Sequence, residues 1–174
     1  MPRRVSSLHI LDEQVSRRSA QTQADFSWWP CRSGCAGCCE TLAKEPEVTR
    51  AEWTRLKRVV DALPKAARGE IGRVLEAAGA RASAPGPLVC PLLESSSGRC
   101  SVYAARPLTC RTYGYYAGRS GVRACHLVIE GTVERGVERA VCWGNEDAIQ
   151  RDLSRELGPA RSLSWWWNHG GERG

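Results

Sequence analysis

Four of the nine cysteines in this 174-residue chain fall within nine residues, Cys31, Cys35, Cys38 and Cys39, separated only by small or polar side chains. A short loop that gathers thiols this densely wraps around something. Thiolates converging from one loop suit tetrahedral zinc or the irons of an iron–sulfur cluster, and Gly34 and Gly37 permit the positive φ values that tight ligand loops need. A disulfide knot or a reactive thiol patch is the other reading. The odd number of cysteines, the lack of an export signal at the amino terminus and the ligand-like spacing argue against a secreted disulfide framework.

The length suits one domain with tails, able to bury roughly 70 per cent of its unfolded surface. A metal would therefore supplement a hydrophobic core instead of replacing it. No segment approaches the length of a membrane span, so the chain reads as cytoplasmic, without a membrane partner. Its 25 Lys+Arg against 19 Asp+Glu give a formal charge of +6, but the basic residues are scattered. Nucleic acid is not indicated.

The expected organisation is a loosely held arm over residues 1–25, a cysteine-cluster metal-binding domain over 26–160 and a Trp-rich tail over 161–174. In the arm, Val5, Leu8, Ile10, Leu11 and Val15 allow a short amphipathic helix. Phe26, Trp28 and Trp29 form a hydrophobic wall at the entrance to the cysteine loop. Thr49 and Glu52 have the form of a capping box, starting a helix that Pro64 ends near Leu63, with Trp53, Leu56, Val59, Val60 and Leu63 at helical spacing. A second helix over Lys65–Ala80 completes a helical hairpin, although Gly69 and Gly72 weaken it.

Beyond a loop at 82–87, Leu88–Leu93 and Cys100–Tyr103 pair across a Ser/Gly turn, with Cys90 and Cys100 near the two ends of the hairpin. Pro107 opens a short helix carrying Cys110. Cys125–Ile129 and Ala140–Trp143 read as strands. Asn145 caps a helix with Ile149, Leu153 and Leu157 on one face, ended by Gly158-Pro159. Three adjacent tryptophans, Trp165, Trp166 and Trp167, cannot share one core face, so part of that surface should meet a partner, a ligand or the arm. The fold class that follows is α+β, mostly helical, with a helical hairpin and short β-hairpins.

The order C-x3-C-x2-C-C at Cys31–Cys39, C-P-L-L at Cys90, G-x-C-x-V-Y at Gly98–Tyr103 and R-P-x-x-C-R at Arg106–Arg111 resembles the YkgJ-type cysteine-cluster proteins, described as zinc- or iron-chelating. The resemblance covers Cys31 to Tyr113. The usual signature is C-x2-C-x2-C-C, so one extra residue separates Cys31 from Cys35. Flagellin lysine-N-methylases carry a similar cluster, associated with an iron–sulfur centre and methyl transfer. The resemblance implies metal ligation by Cys31, Cys35, Cys38, Cys39, Cys90, Cys100 and Cys110.

Seven thiols exceed the four that one zinc or one [4Fe–4S] cluster takes from protein. Either one centre uses four of them, or two metals share the set. Adjacent side chains diverge by about 100° on a helix and oppose each other on a strand, so Cys38 and Cys39 should face different sites. Cys125 and Cys142 either complete a second site or are buried hydrophobes. His126 is a possible nitrogen ligand, whereas His9 and His169 should be exposed. Arg106 and Arg111 either neutralise thiolate charge or bind carbonyls near Cys110, the alternative being salt-bridged surface arginines, and Tyr103 and Tyr113 either donate to cluster sulfurs or pack the core.

The C-x3-C-x2-C triad also coincides with the cluster motif of radical-SAM enzymes, but no strand precedes it and too little chain follows for their barrel. No Ser/His/Asp set, phosphate loop or paired carboxylates appear, so no catalytic residue is assigned. The functional expectation is a metal-binding protein, iron–sulfur or zinc, with the nearly all-cysteine set favouring iron–sulfur. It would modify, or assist in modifying, a peptide or protein partner; the alternative is a non-catalytic zinc protein with a structural or metal-handling role.

Overall fold

Two apolar clusters, meeting at the cysteine-rich segments, organise the computed structural model, which describes residues 7–80 and 87–170. Val5, most of the 82–87 loop and the last four residues lie outside that description. Among the described residues are seven α-helices and seven two- or three-residue strands. The small α+β, mostly helical class expected from sequence is what forms, and no barrel is present among these residues.

The first cluster is built on α1 (Ser7–Asp25). The segment read as an arm is, from Ser7 onward, a 19-residue helix that buries Leu11, Val15 and Thr22 and lies against α4 (Leu108–Thr112) and α6 (Glu146–Leu157). Asp12 pins it there, pairing with Arg111 of α4 and with Arg55 at 2.5 Å. Trp29, Tyr115, Tyr116, Cys125, Val128, Ile149 and Leu153 complete this core.

The second cluster gathers around α2 (Arg50–Asp61) and α3 (Lys65–Ala80), joined by three residues ending in Pro64. Thr49 and Glu52 close the expected capping box. Trp53, Leu56, Val60, Ile71 and Leu75 bury together with Val48, Cys90, Leu92, Val102 and Leu163. The tryptophan tail belongs here too, as α7 (Leu163–His169) against α3. Trp166 donates its indole N–H to the Val48 carbonyl at 2.8 Å, and Trp167 packs where a Cβ on Gly72 would sit 2.9 Å from its ring. The glycine that weakens α3 thus makes room for Trp167, while Trp165 remains exposed and stacks on His169.

Short ladders tie these layers together. β1 (Glu47–Val48) pairs antiparallel with β7 (Arg161–Ser162), and β2 (Leu93–Glu94) with β3 (Arg99–Cys100), setting Leu93 opposite Cys100. β4 (Tyr116–Gly118) lies between β5 (Gly121–Arg123) and β6 (Gly144–Asn145).

Two expected strands are not strands. Cys125 is the N-cap of α5 (His126–Glu134), which buries Val128, Gly131 and Thr132 on one face. The β-branched run Val128-Ile129 mimics strand composition, but burial at i, i+3 and i+4 selects the helix. Ala140–Trp143 forms no ladder, and pairing with β4 begins only at Gly144. A Cβ at Gly144 would lie 2.4 Å from the Tyr116 ring, so the strand approaches through the residue that has none.

Candidate metal centre

The loop from Cys31 to Glu40 is a succession of turns, closed by Cys35 N–H to the Arg32 carbonyl at 3.0 Å and Cys39 N–H to the Ala36 carbonyl at 2.7 Å. Such turns point successive side chains in different directions. Cys31 and Cys38 pack against the first apolar cluster, and Cys39 packs against the second. The Cys38 and Cys39 sulfurs nonetheless lie only 3.9 Å apart, at the seam.

The entrance to the loop is fixed by Tyr115 and by Gln23, the latter a residue that the sequence did not single out. The Cys31 carbonyl accepts from Gln23 Nε2 at 2.7 Å and from the Tyr115 hydroxyl at 2.9 Å, and Gln23 also donates to that hydroxyl. Trp29 is buried and stacks on Tyr115 with ring centres 6.0 Å apart, while Phe26 and Trp28 pack half-buried beside it. Gly114, at φ +87°, brings its backbone against the Cys31 sulfur; a Cβ there would stand 2.7 Å from it.

Three further segments bring thiols to the loop. Residues 88–90 run antiparallel beside 39–42, with reciprocal Leu42–Leu88 bonds of 2.8 Å and Cys90 N–H donating to the Cys39 carbonyl at 2.7 Å. The β2–β3 hairpin then returns Cys100, and α4 presents Cys110. Cys125 arrives from the start of α5, where its sulfur would be 3.7 Å from a Cβ on Gly37.

A cavity of about 250 Å³ opens onto this gathering. Cys31, Cys35, Cys38, Cys110 and Cys125 line it together with Gln23, Tyr103, Arg106, Tyr113 and Tyr115. Cys125 is thus one of the cavity-lining thiols. Cys142 is exposed and outside it, as are His126, His9 and His169 on the surface.

Burial dominates the thiol electrostatics. Desolvation, with the neighbouring Cys125, Cys35 and Cys38, pushes Cys31 up to about 12. Cys38 is raised by its contact with Cys39 and by burial. For Cys39 the contact with Cys38 acts downward, but the Cys90 thiol, burial and Cys100 outweigh it and carry it to about 12. Cys110 is raised by burial and then by Cys39, Cys38 and Cys100, and Cys100 is raised chiefly by burial. The cation that opposes these shifts at Cys31, Cys38, Cys100 and Cys110 is Arg106.

The two arginines therefore differ. Arg111 is engaged by Asp12 and by Ser16 at 2.6 Å, whereas Arg106 makes no ion pair among the described residues. Its guanidinium lies 3.7 Å from the Tyr103 ring centre, and its carbonyl accepts from Arg55 at 3.1 Å. Tyr113 donates to the Ala124 carbonyl at 3.1 Å, not to a sulfur.

Among the described residues, no three His, Cys, Asp or Glu side chains stand in a ready-made coordinating arrangement. The thiols are neighbours rather than a formed cage. Their chemistry still fits a metal: the donors are all sulfur, and a bound cation would supply the positive charge that lets buried thiols ionise.

A family model for the CxxCxxCC proteins, described as a "putative zinc- or iron-chelating domain", matches residues 30–135. The chain belongs to that family. No curated protein and no solved structure matches it. The CxxCxxCC match runs past Tyr113, where the sequence resemblance ended, and takes in Cys125 while leaving Cys142 outside. Among the described residues no helix is long and apolar enough to cross a membrane.

Proposed function

We propose that this protein holds metal through the cysteine thiolates gathered at the seam of its two cores, and that the bound metal faces the cavity. The observation that carries the reading is the convergence of five thiols from the 31–40 loop, α4 and the start of α5 on one cavity, which Arg106, a guanidinium without an ion-pair partner among the described residues, also lines. When bound, the metal supplies the positive charge that lets buried thiols ionise. Arg106 offsets the remaining negative charge, Gln23 and Tyr115 fix the loop through the Cys31 carbonyl, and the Trp29–Tyr115 stack excludes water from one side.

All-sulfur ligation beside an aromatic wall favours iron–sulfur over zinc. Chain purified without oxygen is expected to be brown, to contain iron and acid-labile sulfide, and to give an electron paramagnetic resonance signal on reduction. A colourless protein with stoichiometric zinc overturns the iron–sulfur assignment, and a protein that binds neither metal overturns metal ligation itself.

A second reading, metal-dependent modification of a peptide or protein, is favoured by access: the cavity pairs the thiol wall with polar groups able to hold a side chain. Incubating the loaded protein with candidate peptides and reading their masses separates the two, since a non-catalytic metal protein leaves every mass unchanged.

A further inference from the structure

We propose that the cavity beside the thiols binds a carboxylate, carried by a small organic acid or by the end of a peptide, with the Arg106 guanidinium as its anchor. This rests on the metal-binding reading above for what the thiols hold, and adds to it the chemical class of a second ligand.

Hydrogen bonding supplies the first argument. Most polar groups of the lining are already engaged within the protein: Ser16 donates to the Asp12 carbonyl at 2.8 Å, Ser19 to the Ser16 carbonyl at 3.0 Å and Tyr113 to the Ala124 carbonyl at 3.1 Å. Gln23 and Tyr115 both serve the Cys31 carbonyl. Arg111 is committed to Asp12 and Ser16. Of the Arg106 guanidinium only Nε is used, donating to the Tyr103 carbonyl at 3.2 Å, so its two terminal nitrogens have no acceptor among the described residues. The Tyr103 hydroxyl is likewise without a partner among them.

Charge points the same way. No Asp or Glu lines the cavity among the described residues, and Asp12 is taken up by Arg55 and Arg111. Arg32, exposed, adds a second cation to the lining. A cleft lined by cations and without acids concentrates anions.

The anchor is also held in place. Pro107 keeps Arg106 out of the helix that follows, at φ −50° and ψ 137°, and Arg55 bonds its carbonyl at 3.1 Å. The guanidinium lies flat against Tyr103, 3.7 Å from the ring centre. A planar fork fixed in this way meets both oxygens of a carboxylate and loses little freedom in doing so. Phosphate, with more charged oxygens, would draw on more donors than one fork and one phenol supply. The volume of about 250 Å³ lies below the roughly 300–1,000 Å³ of sites for drug-sized ligands, so the guest is small, and the Tyr113 and Tyr115 rings can meet its apolar part.

Calorimetric titration of the full chain, purified without oxygen and with its metal content measured in the same sample, tests this. Propionate, benzoate and an acetylated dialanine peptide carry the carboxylate; their amides are the uncharged controls. At least one acid should bind saturably and about tenfold or more tightly than its amide, with the peptide tighter if a peptide end is the natural guest and a free acid tighter if it is not. Arg106→Gln should lose about tenfold in that affinity, Arg106→Lys should not restore it because it lacks the fork, and Tyr103→Phe, which keeps the stacked ring, should lose a few-fold. Circular dichroism confirms that each variant folds. On the unmodified chain alone, no binding by any acid, or equal binding of acids and amides, overturns the proposal, as does full affinity in folded Arg106→Gln. Inorganic phosphate binding more tightly than every acid overturns the carboxylate assignment. A chain that holds metal but no acid defeats this proposal and leaves the metal-binding reading standing, whereas one that binds acid but no metal defeats that reading alone.

Discussion

The Glu52 carboxylate accepts the backbone N–H of Leu108 at 2.8 Å, joining the first turn of α2 to the first residue of α4 across 56 positions of sequence. Its other oxygen closes the capping box, accepting from the Thr49 N–H at 2.8 Å and the Thr49 hydroxyl at 2.9 Å. One buried acid therefore starts one helix and positions the helix that carries Cys110.

Replacing that acid tests the link. Glu52→Ala removes the cap and leaves the Leu108 and Thr49 donors buried without a partner, for a combined loss of about 2–4 kcal/mol. Glu52→Gln keeps one good acceptor and should lose less. Urea unfolding of the metal-free chain reads the stability difference. Cobalt uptake by folded Glu52→Ala should be weaker, because α4 no longer holds Cys110 in place.

Gly114 is the second pivot. At φ +87° its backbone is strained for any residue with a Cβ, and that Cβ would lie 2.7 Å from the Cys31 sulfur and 3.6 Å from Val128. Gly121, at φ +107°, carries the same backbone strain in open space. Both alanine variants should lose about 1–3 kcal/mol of stability in thermal melts. Only Gly114→Ala should also reduce metal content, since only it displaces a thiol.

The parts legible in sequence were those encoded locally. The thiol spacing, the Thr49–Glu52 box, the stop at Pro64 and the Asn145 cap, whose Oδ1 accepts from Ala148 N–H at 3.0 Å, all depend on residues within a few positions of one another. What was not legible is non-local. Asp12 with Arg55 and Arg111 joins three distant segments, and Gln23 holds a loop carbonyl eight residues away because Tyr115 is also there. Cys125 looked like part of a strand because Val128-Ile129 is β-branched. Its place among the cavity-lining thiols rests on a contact far along the chain, its sulfur lying 3.7 Å from where a Cβ on Gly37 would stand.

Two glycines of α3 separate propensity from packing. Gly69 has nothing within 4 Å of a would-be Cβ, whereas Gly72 faces Trp167 at 2.9 Å. Gly69→Ala should stabilise the chain by about 0.5–1 kcal/mol through helix propensity alone. Gly72→Ala gains the same propensity but drives a methyl into the Trp167 ring and should be destabilising overall. Unfolding midpoints of the two variants, measured together, would show opposite shifts.

Cys142 supplies an internal standard for thiol accounting. It is the exposed cysteine of the nine, with its backbone carbonyl accepting from Arg18 at 3.3 Å and its thiol outside the cavity wall. A limiting amount of iodoacetamide added to metal-loaded protein should therefore label Cys142 first, as located by peptide mass mapping, without releasing metal. Cys142→Ser should keep the full metal content. If labelling instead begins at Cys125, or if Cys142→Ser loses metal, the exposed thiol belongs to the site and the buried one does not.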